Sequence, residues 1–399
     1  MVGVDDPSGL AVSHLRGTDL VGAPRAEAVV DLDAVGHNVG VLRAAAPDAA
    51  LMAVVKADGY GHGAVVVGRA ALAAGASWLG ICTLQEALDL RVAGITAPLL
   101  SWLHLPEEDF TDAVAAGIDL SVASRAHLAS VLDGARRAGR PARLHLKVDS
   151  GLSRGGAQPA DWPELLDDAA RAVADRTAEV VAVWSHLAHA DTPDHPTLDR
   201  QAARLTDAWL AARARGLHPI RHLANSAATL TRPDLQLDLV RAGIAVYGLD
   251  PLDRPVGQSP LRPAMTLRAR VVLTKRVPAG EGVAYGHEWT TPRETTLAVL
   301  PLGYADGVRR ALNGRGRMMV LMDGELRPVV GRVSMDQIVV DCGDSRVREG
   351  DHAVLFGSGD HGEPTAQDWA DELGTIHYEV VTGIHGRRVT RTTVGGPSW

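Results

Sequence analysis

From residue 51 to about 245 the chain repeats one unit: a short apolar run, a polar or glycine-containing turn, then a segment rich in Ala, Leu, Asp and Arg. The apolar runs are "LMAVV" (51–55), "WLGIC" (78–82), "APLLSW" (97–102), "DLSVA" (119–123), "RLHLKV" (143–148), "VVAVWS" (180–185), "IRHLA" (220–224) and "LDLV" (237–240). They are near-continuous in hydrophobicity rather than alternating, the pattern of parallel strands buried on both faces. Between them, "LQEALDLRVAG" and "SRAHLASVLDGARRAG" have helical spacing, and the second ends on glycine, where a helix commonly stops. Eight such units in about 200 residues predict an α/β fold, a closed (β/α)8 barrel of the TIM type. A doubly wound open sheet would carry a glycine-rich phosphate turn after its first strand, and "GYGHG" is not that fingerprint.

The pattern changes near Pro263. Residues 264–390 hold short runs rich in Val, Thr and Leu between glycine turns: "TLRARVVLTKRV", "ETTLAVLPLG", "RMMVLMDGELRPVVGRV", "QIVVDCG" and "HAVLFG". They predict a mostly β C-terminal domain, and Asp-Gly between apolar flanks in "MDGELRP" predicts a hairpin. "AEAVVDLD" (26–33) alternates like a strand that precedes the barrel and could lend an edge strand to the β domain. The predicted layout is a mobile tail over 1–25, a barrel over 26–262, a β domain over 263–390 and a tail over 391–399.

Composition narrows the function. The 399 residues have room for two domains, and 46% hydrophobic with 22% charged residues supplies ample core. A net charge of -8 argues against a general nucleic-acid binder. No apolar run reaches 18 residues, so no membrane span is expected, and the first 25 residues lack the apolar core of a signal peptide. The two cysteines, Cys82 and Cys342, offer neither a disulfide framework nor a metal site and suit a reducing cytoplasm. Sixteen histidines show no tight ligand spacing with Asp or Glu on one helix face, so no metal is expected.

Only three of the 40 basic residues are lysines, Lys56, Lys147 and Lys275. Arginine stays protonated, whereas a lysine can lose its proton and attack a carbonyl, so a lysine kept in an arginine-biased chain marks candidate chemistry. In a parallel barrel, functional groups sit at the C-terminal ends of strands. Lys56 follows the first run in "AVVKADGYGHG", and Lys147 with Asp149 closes the fifth, ahead of Arg154. His186 and His189 close the sixth, Asn225 and Ser226 follow the seventh, and Arg241 with Gly243 follows the eighth. A reactive lysine with small residues that expose backbone N–H groups to a phosphate suggests pyridoxal phosphate held as a Schiff base. A Schiff-base aldolase on a barrel uses the same elements but needs no second, all-β domain.

These residues fall in an ordered set of motifs. "AVVKADGYGHG", "LKVDSGLSRGG", "SHLAHAD", "ANSAAT" and "VRAGIAVYG" in the barrel, and "VAYGHEW", "GYADGVRR", "GRVSMDQ" and "YEVVTGIHGRRV" beyond it, resemble the alanine racemase family over about residues 26–390. The departures are Thr382 and Thr390, where the family often has cysteine and proline; neither position is catalytic. The resemblance implies a cytoplasmic, pyridoxal-phosphate-dependent homodimer that interconverts L- and D-alanine, with active sites shared between two copies.

It also implies a role for each matching residue. Lys56 holds the cofactor and serves as base on one face of the substrate. Tyr285 of the partner subunit serves the other face, with His186 backed by Arg241 favouring its phenolate. Tyr60, Ser226, Gly243, Ile244 and Tyr378 hold the phosphate, with Asn225 beside them, and Arg241 faces the pyridine nitrogen. Arg154 contacts the cofactor's phenolic oxygen and the substrate carboxylate, which Met335 and Asp336 also meet, while Tyr304 narrows the entrance. Asp191, Arg310, Arg332 and Ile376 match channel positions. Lys147 matches a carbamylated position whose anion orients Arg154, and Lys275 has no catalytic role. Two rivals share the fold: a racemase of broader specificity, and a non-catalytic pyridoxal-phosphate-binding protein. The latter resembles the barrel alone and lacks the domain that carries the second base.

Overall fold

A computed structural model describes residues 24–254, 257–313, 316–386 and 388–397. Most of the tail expected over 1–25, and the last two residues of the tail expected over 391–399, lie outside the described residues. The rest of the second tail is not one: Thr390–Val394 is a strand, and Arg391 pairs with Asp58 at 2.7 Å.

The chain packs as two compact units. The described residues of the larger are 28–254, 257–266, 356–385 and 391–397. It opens with strand β1 (Ala26–Asp31), whose first two residues belong to the other unit. The Asp31 carboxylate then caps the helix Leu32–Ala45 by accepting from the N–H groups of Asp33 and Ala34. The eight expected runs become eight parallel strands: β2 (Ala50–Val54), β3 (Trp78–Ile81), β4 (Leu99–Ser101), β5 (Asp119–Val122), β6 (Ala142–Lys147), β7 (Ala178–Trp184), β8 (Ile220–His222) and β9 (Leu239–Ala242). Their order is β8-β7-β6-β5-β4-β3-β2-β9. Between β8 and β9 the Asp238 N–H donates to the Arg221 carbonyl at 3.2 Å and the Arg241 N–H to the Ala224 carbonyl at 3.0 Å, which nearly closes the barrel.

The helices between strands follow their sequence signals. Thr83 and Glu86 form a reciprocal capping box at the start of Leu84–Val92. Ser124 caps Arg125–Ala138, which stops at Gly139 with φ 65°. Register puts Lys147 opposite Trp184 and Trp184 opposite His222, so one row at the C-terminal ends of β6, β7 and β8 carries an amine, an indole and an imidazole.

The smaller unit, whose described residues are 24–27, 267–313, 316–355, 386 and 388–390, is mostly β. The run "TLRARVVLTKRV" divides into β10 (Met265–Arg270) and β11 (Leu273–Val277). After the short pair β12 (Gly282–Val283) and β13 (Trp289–Thr290) come β14 (Thr295–Leu300), β15 (Met319–Met322), β16 (Glu325–Val330), β17 (Ile338–Asp341) and β18 (His352–Phe356), which join β10 and β11 in one sheet. The hairpin expected at "MDGELRP" joins β15 to β16 with Met322 opposite Glu325. Its two turn residues, Asp323 and Gly324, have φ 50° and 75°, as a type I′ turn requires.

One boundary departs from expectation. Residues 356–385, assigned from their position to the β domain, pack with the barrel. The reason is a close approach that only glycine permits: a Cβ on Gly61, where φ is 83°, would lie 2.6 Å from the Val381 carbonyl oxygen in the helix His377–Thr382.

Candidate active site

The strand ends surround a cavity of about 710 Å3, within the range of roughly 300–1,000 Å3 usual for cofactor and small-molecule sites. Its first element is Lys56, which leaves the barrel one residue after β2 and starts an unusual turn. Ala57, Asp58, Gly59 and Tyr60 all have φ between 50° and 63°, which makes a turn of left-handed helix. Each non-glycine residue there costs about 1–2 kcal/mol, so the turn must be held from outside. The Glu86 carboxylate accepts from the Ala57 N–H at 2.6 Å and from the N–H groups of Cys82 and Thr83 at 3.0 and 3.1 Å. Asp58 accepts from the Ala64 N–H at 2.9 Å while it pairs with Arg391. Lys56 and Tyr60, four residues apart, thereby line the same cavity.

Hydroxyls and backbone N–H groups gather at one end. The Tyr60 ring packs 4.8 Å from Tyr247 and 6.2 Å from Tyr378. Burial pushes both Tyr60 and Tyr378 up, Tyr378 to about 12, so both phenols stay neutral donors. The Ser226 hydroxyl accepts from the N–H groups of Gly243 at 2.9 Å and Ala245 at 3.3 Å. A Cβ on Gly243 would sit 2.5 Å from the Tyr60 hydroxyl, so the glycine lets the phenol reach the backbone. Asn225, which caps the next helix through the Ala228 N–H at 3.2 Å, and the buried Ile244 complete this end.

The other side is cationic. Arg241 is buried, and its Nη2 donates to the carbonyls of Ser185 at 3.0 Å and Leu223 at 3.2 Å and to His186 Nδ1 at 3.1 Å. Burial pulls this guanidinium down to about 9, which leaves it charged at neutral pH. Burial, then the charges of Arg241 and Arg154, hold His186 well below the usual imidazole range. Because Arg241 can only donate, neutral His186 accepts at Nδ1 and carries its proton on Nε2. Lys147, 4.5 Å from the Trp184 ring centroid, is brought down to about 8 by burial and by Arg241 and Arg154. Arg154 is exposed at the rim. Lys56, Lys147, Arg154 and Arg241 line the cavity, and no Asp or Glu is among its described lining residues. A dianionic phosphate at the hydroxyl end, an aldehyde toward Lys56 and a ring nitrogen toward Arg241 match this donor set, so the residues fit pyridoxal phosphate.

Most of the remaining candidates lie in the smaller unit, where three segments meet. Tyr304 and Ala305 donate their N–H groups to the carbonyls of Ser334 and Met335, each at 3.0 Å, and Gly286 abuts the Arg332 guanidinium. Tyr285, Tyr304 and Met335 are 72%, 42% and 52% exposed, an unusual concentration of large apolar side chains in solvent. Asp336 pairs with Arg388 and Arg332 with Glu288. Arg310, Asp191 and Ile376 are exposed. His189 is not a cavity residue; it stacks on His195 with 3.9 Å between centroids.

Reading the sequence missed several participants. Trp102 and Trp184, at or next to the ends of apolar runs, face Lys56 at 5.9 Å and Lys147 at 4.5 Å. Glu86 had a signal as the fourth residue of a capping box, but its reach to Ala57 had none. Thr382, already singled out in the sequence as a departure from the family, lines the cavity, its hydroxyl donating to the Tyr378 carbonyl at 2.6 Å.

Comparison with known proteins agrees over almost the whole chain. Residues 30–251 match the family description "Alanine racemase, N-terminal domain", and residues 264–393 match "Alanine racemase, C-terminal domain". The chain is 59% identical over 373 residues to an alanine racemase of Salinispora arenicola, covering 93% of this chain and 99% of that one. It is 55% identical over 374 residues to an alanine racemase of Thermobifida fusca, covering 93% and 98%. The crystal structure of alanine racemase from D-cycloserine producing Streptomyces lavendulae superposes with a TM-score of 0.90 at 50% identity, over 94% of this chain and 98% of that chain. The chain belongs to the alanine racemase family.

Proposed function

We propose that this protein interconverts L- and D-alanine with pyridoxal phosphate in the barrel mouth, using two bases, Lys56 and Tyr285, on opposite faces of the substrate. One observation carries the reading: a strand-end amine, a set of neutral hydroxyl donors and a guanidinium with only neutral hydrogen-bond partners line a single cavity. When bound, the cofactor supplies the electron sink that makes the α-hydrogen of alanine acidic.

The chain's own residues do the rest. Tyr60, Tyr378, Ser226, Gly243 and Ile244, with Asn225 alongside, anchor the phosphate. Arg241 donates to the ring nitrogen and has no proton to give up, which keeps that nitrogen unprotonated and limits side reactions. Arg154, with Met335 and the backbone beside it at Asp336, binds the substrate carboxylate, and Tyr304 narrows the entrance. The Lys56 amine removes or returns the α-hydrogen on one face. Tyr285 does so on the other, and the proton that His186 carries on Nε2 stabilises its phenolate. Lys147 is carbamylated, and its anion orients Arg154.

Tyr285 and its exposed neighbours serve the barrel of a second copy, so a two-fold dimer has two composite sites. The 72% exposure of Tyr285 supports a surface made for another chain. No helix among the described residues is long and apolar enough to cross a membrane, and we place the enzyme in the cytoplasm.

The test is incubation of the purified protein with L-alanine in D2O. Loss of the α-hydrogen should accompany the appearance of D-alanine, and Lys56→Ala should abolish both. Exchange without inversion refutes the second base, and no exchange refutes the activity. Faster turnover of larger amino acids would favour a racemase of broader specificity.

A further inference from the structure

Barrel interiors are ordinarily filled by layers of branched aliphatic side chains. In this barrel a hydrogen-bonded row of charged and titratable groups crosses the interior, and the proposed chemistry uses only its upper end. Asp119 on β5 is 1% exposed, His145 on β6 and His222 on β8 are both 0%, and Arg241 on β9 is 5%. Arg241 Nη1 lies 3.1 Å from His222 Nδ1, His222 Nε2 lies 2.9 Å from His145 Nδ1, and His145 Nε2 lies 3.1 Å from Asp119 Oδ2. The other oxygen of Asp119 accepts from Arg143 Nε at 2.7 Å, and Arg143 also reaches Glu179 at 2.8 Å. Trp184 stacks on His222 with 5.3 Å between centroids, and Trp78 meets His145 edge-on at 5.4 Å, which holds both imidazoles in place.

Only one proton arrangement satisfies every link. Arginine has donors and no acceptor, so His222 Nδ1 is bare and His222 Nε2 carries hydrogen. That hydrogen requires a bare Nδ1 on His145, whose Nε2–H then points at the carboxylate. Turning either imidazole to its other tautomer sets two donors face to face. The row is therefore directional, from Arg241 through two neutral imidazoles to an ionised carboxylate. All direct hydrogen-bond partners of Arg241 are neutral, and a buried cation without compensation costs several kcal/mol.

We infer that Asp119, acting through His145 and His222, is the positioning anion for Arg241: it supplies the counter-charge that keeps the guanidinium protonated, fixes its orientation, and aims its remaining donors at the cofactor ring. The last clause rests on the proposed pyridoxal phosphate site; the rest does not. The separation has a chemical purpose. A carboxylate touching the guanidinium would cancel its field at the ring nitrogen, whereas an anion three hydrogen bonds away neutralises the burial without competing for that donor. The other groups agree. Burial, with the charge of Arg241, holds His222 well below the usual imidazole range. Burial would raise Asp119, but His145 and Arg143 outweigh it and hold the carboxyl below its usual range.

The experiment uses the pyridoxal-phosphate-loaded full chain with 15N-labelled histidine, each resonance assigned by single substitution. At pH 8 His145 and His222 should both show a bare Nδ1 and a protonated Nε2. An imidazolium or an Nδ1–H tautomer at either residue overturns the inference, and the tautomers themselves are read on the native chain. Asp119→Asn removes the anion while it keeps the shape. It should mix the tautomers of His222 and lower kcat about tenfold with KM for alanine changed less than about twofold, and Asp119→Glu should restore part of the loss. Native tautomers and native kcat in Asp119→Asn overturn the proposal, as does a lower melting temperature with kcat unchanged. A chain that never binds the cofactor would sink the reading of the site, while the tautomer result would still decide the relay.

Discussion

Replacing Lys147 with alanine removes an amine that burial, reinforced by Arg241 and Arg154, has brought down to about 8. At pH 7 such an amine is neutral in about one molecule in ten, against about one in three thousand for an ordinary lysine, a gain of roughly 300-fold in the form able to attack CO2. The ammonium first loses one proton, and the neutral amine then joins its nitrogen to the carbon of CO2 with release of a second, so a cation becomes an anion in a cavity otherwise lined by Lys56, Arg154 and Arg241. A charged hydrogen bond from Arg154 to that carbamate is worth about 1.5–3 kcal/mol, so Lys147→Ala should lose about 10- to 100-fold in kcat/KM for alanine with its cofactor retained. Acetate or chloride should restore part of the loss by standing in for the anion. The pH dependence has a definite sign: below about 8 the neutral fraction falls tenfold per unit. Enzyme stripped of CO2 at pH 6 should therefore be impaired and recover in bicarbonate at pH 8. The assay is 13C NMR after equilibration with 13C-bicarbonate, in which the native chain should show a carbamate resonance that Lys147→Ala lacks. Identical spectra, together with full activity after CO2 stripping, would refute the reasoning.

The turn that presents Lys56 depends on Glu86, so Glu86→Ala, which strips three backbone N–H groups of their acceptor, should lower stability by about 2–3 kcal/mol in urea unfolding and reduce kcat. Gly243→Ala should weaken cofactor affinity at least tenfold by equilibrium dialysis, because the new methyl meets the Tyr60 hydroxyl at 2.5 Å and Tyr60 is boxed in by Tyr247. Tyr60→Phe removes one donor to the phosphate and should cost about 1 kcal/mol of cofactor binding, again read by dialysis. Co-expression of inactive Lys56→Ala and Tyr285→Ala chains should restore about a quarter of all sites, since half of randomly paired dimers are mixed and one of their two sites is intact; mixed dimers without activity would mean that both bases come from one chain.

How legible the fold was depended on what each residue type can report. Continuous hydrophobicity marks a strand buried on both faces, so all eight barrel strands could be read directly. Caps were legible for the same kind of reason: Ser124 and Gly139 bound their helix as their chemistry demands. The turn after Lys56 was legible only in part. Its glycines announce a break, but nothing in alanine or tyrosine announces φ near +50°; that conformation is imposed by Glu86 and Asp58. The helices Ala366–Leu373 and His377–Thr382 have apolar faces that a sequence reveals, but a face does not name the surface that covers it. Chain position assigned them to the β domain, and packing assigned them to the barrel.

The polar row through the barrel is the instructive miss, because its members were in plain view. "DLSVA", "RLHLKV" and "IRHLA" are strands expected to be buried on both faces, and each carries a group that burial penalises: Asp119, His145 and His222. An unpaired carboxylate inside a barrel would be untenable, so such intrusions in neighbouring strands must pair with one another. Knowing which pair requires register. His145 and Lys147 share a face of β6, Lys147 stands opposite Trp184, and Trp184 stands opposite His222. That alignment brings His145 beneath the row at the mouth and against His222, with Asp119 on the adjacent β5. Arg241 then enters from β9, across the seam where the barrel closes through single backbone bonds rather than a full ladder. A polar residue that interrupts an apolar parallel strand is thus half of a pair whose other half lies on a strand distant in sequence. In this chain the pairs join end to end, and their terminal member is the guanidinium at the mouth.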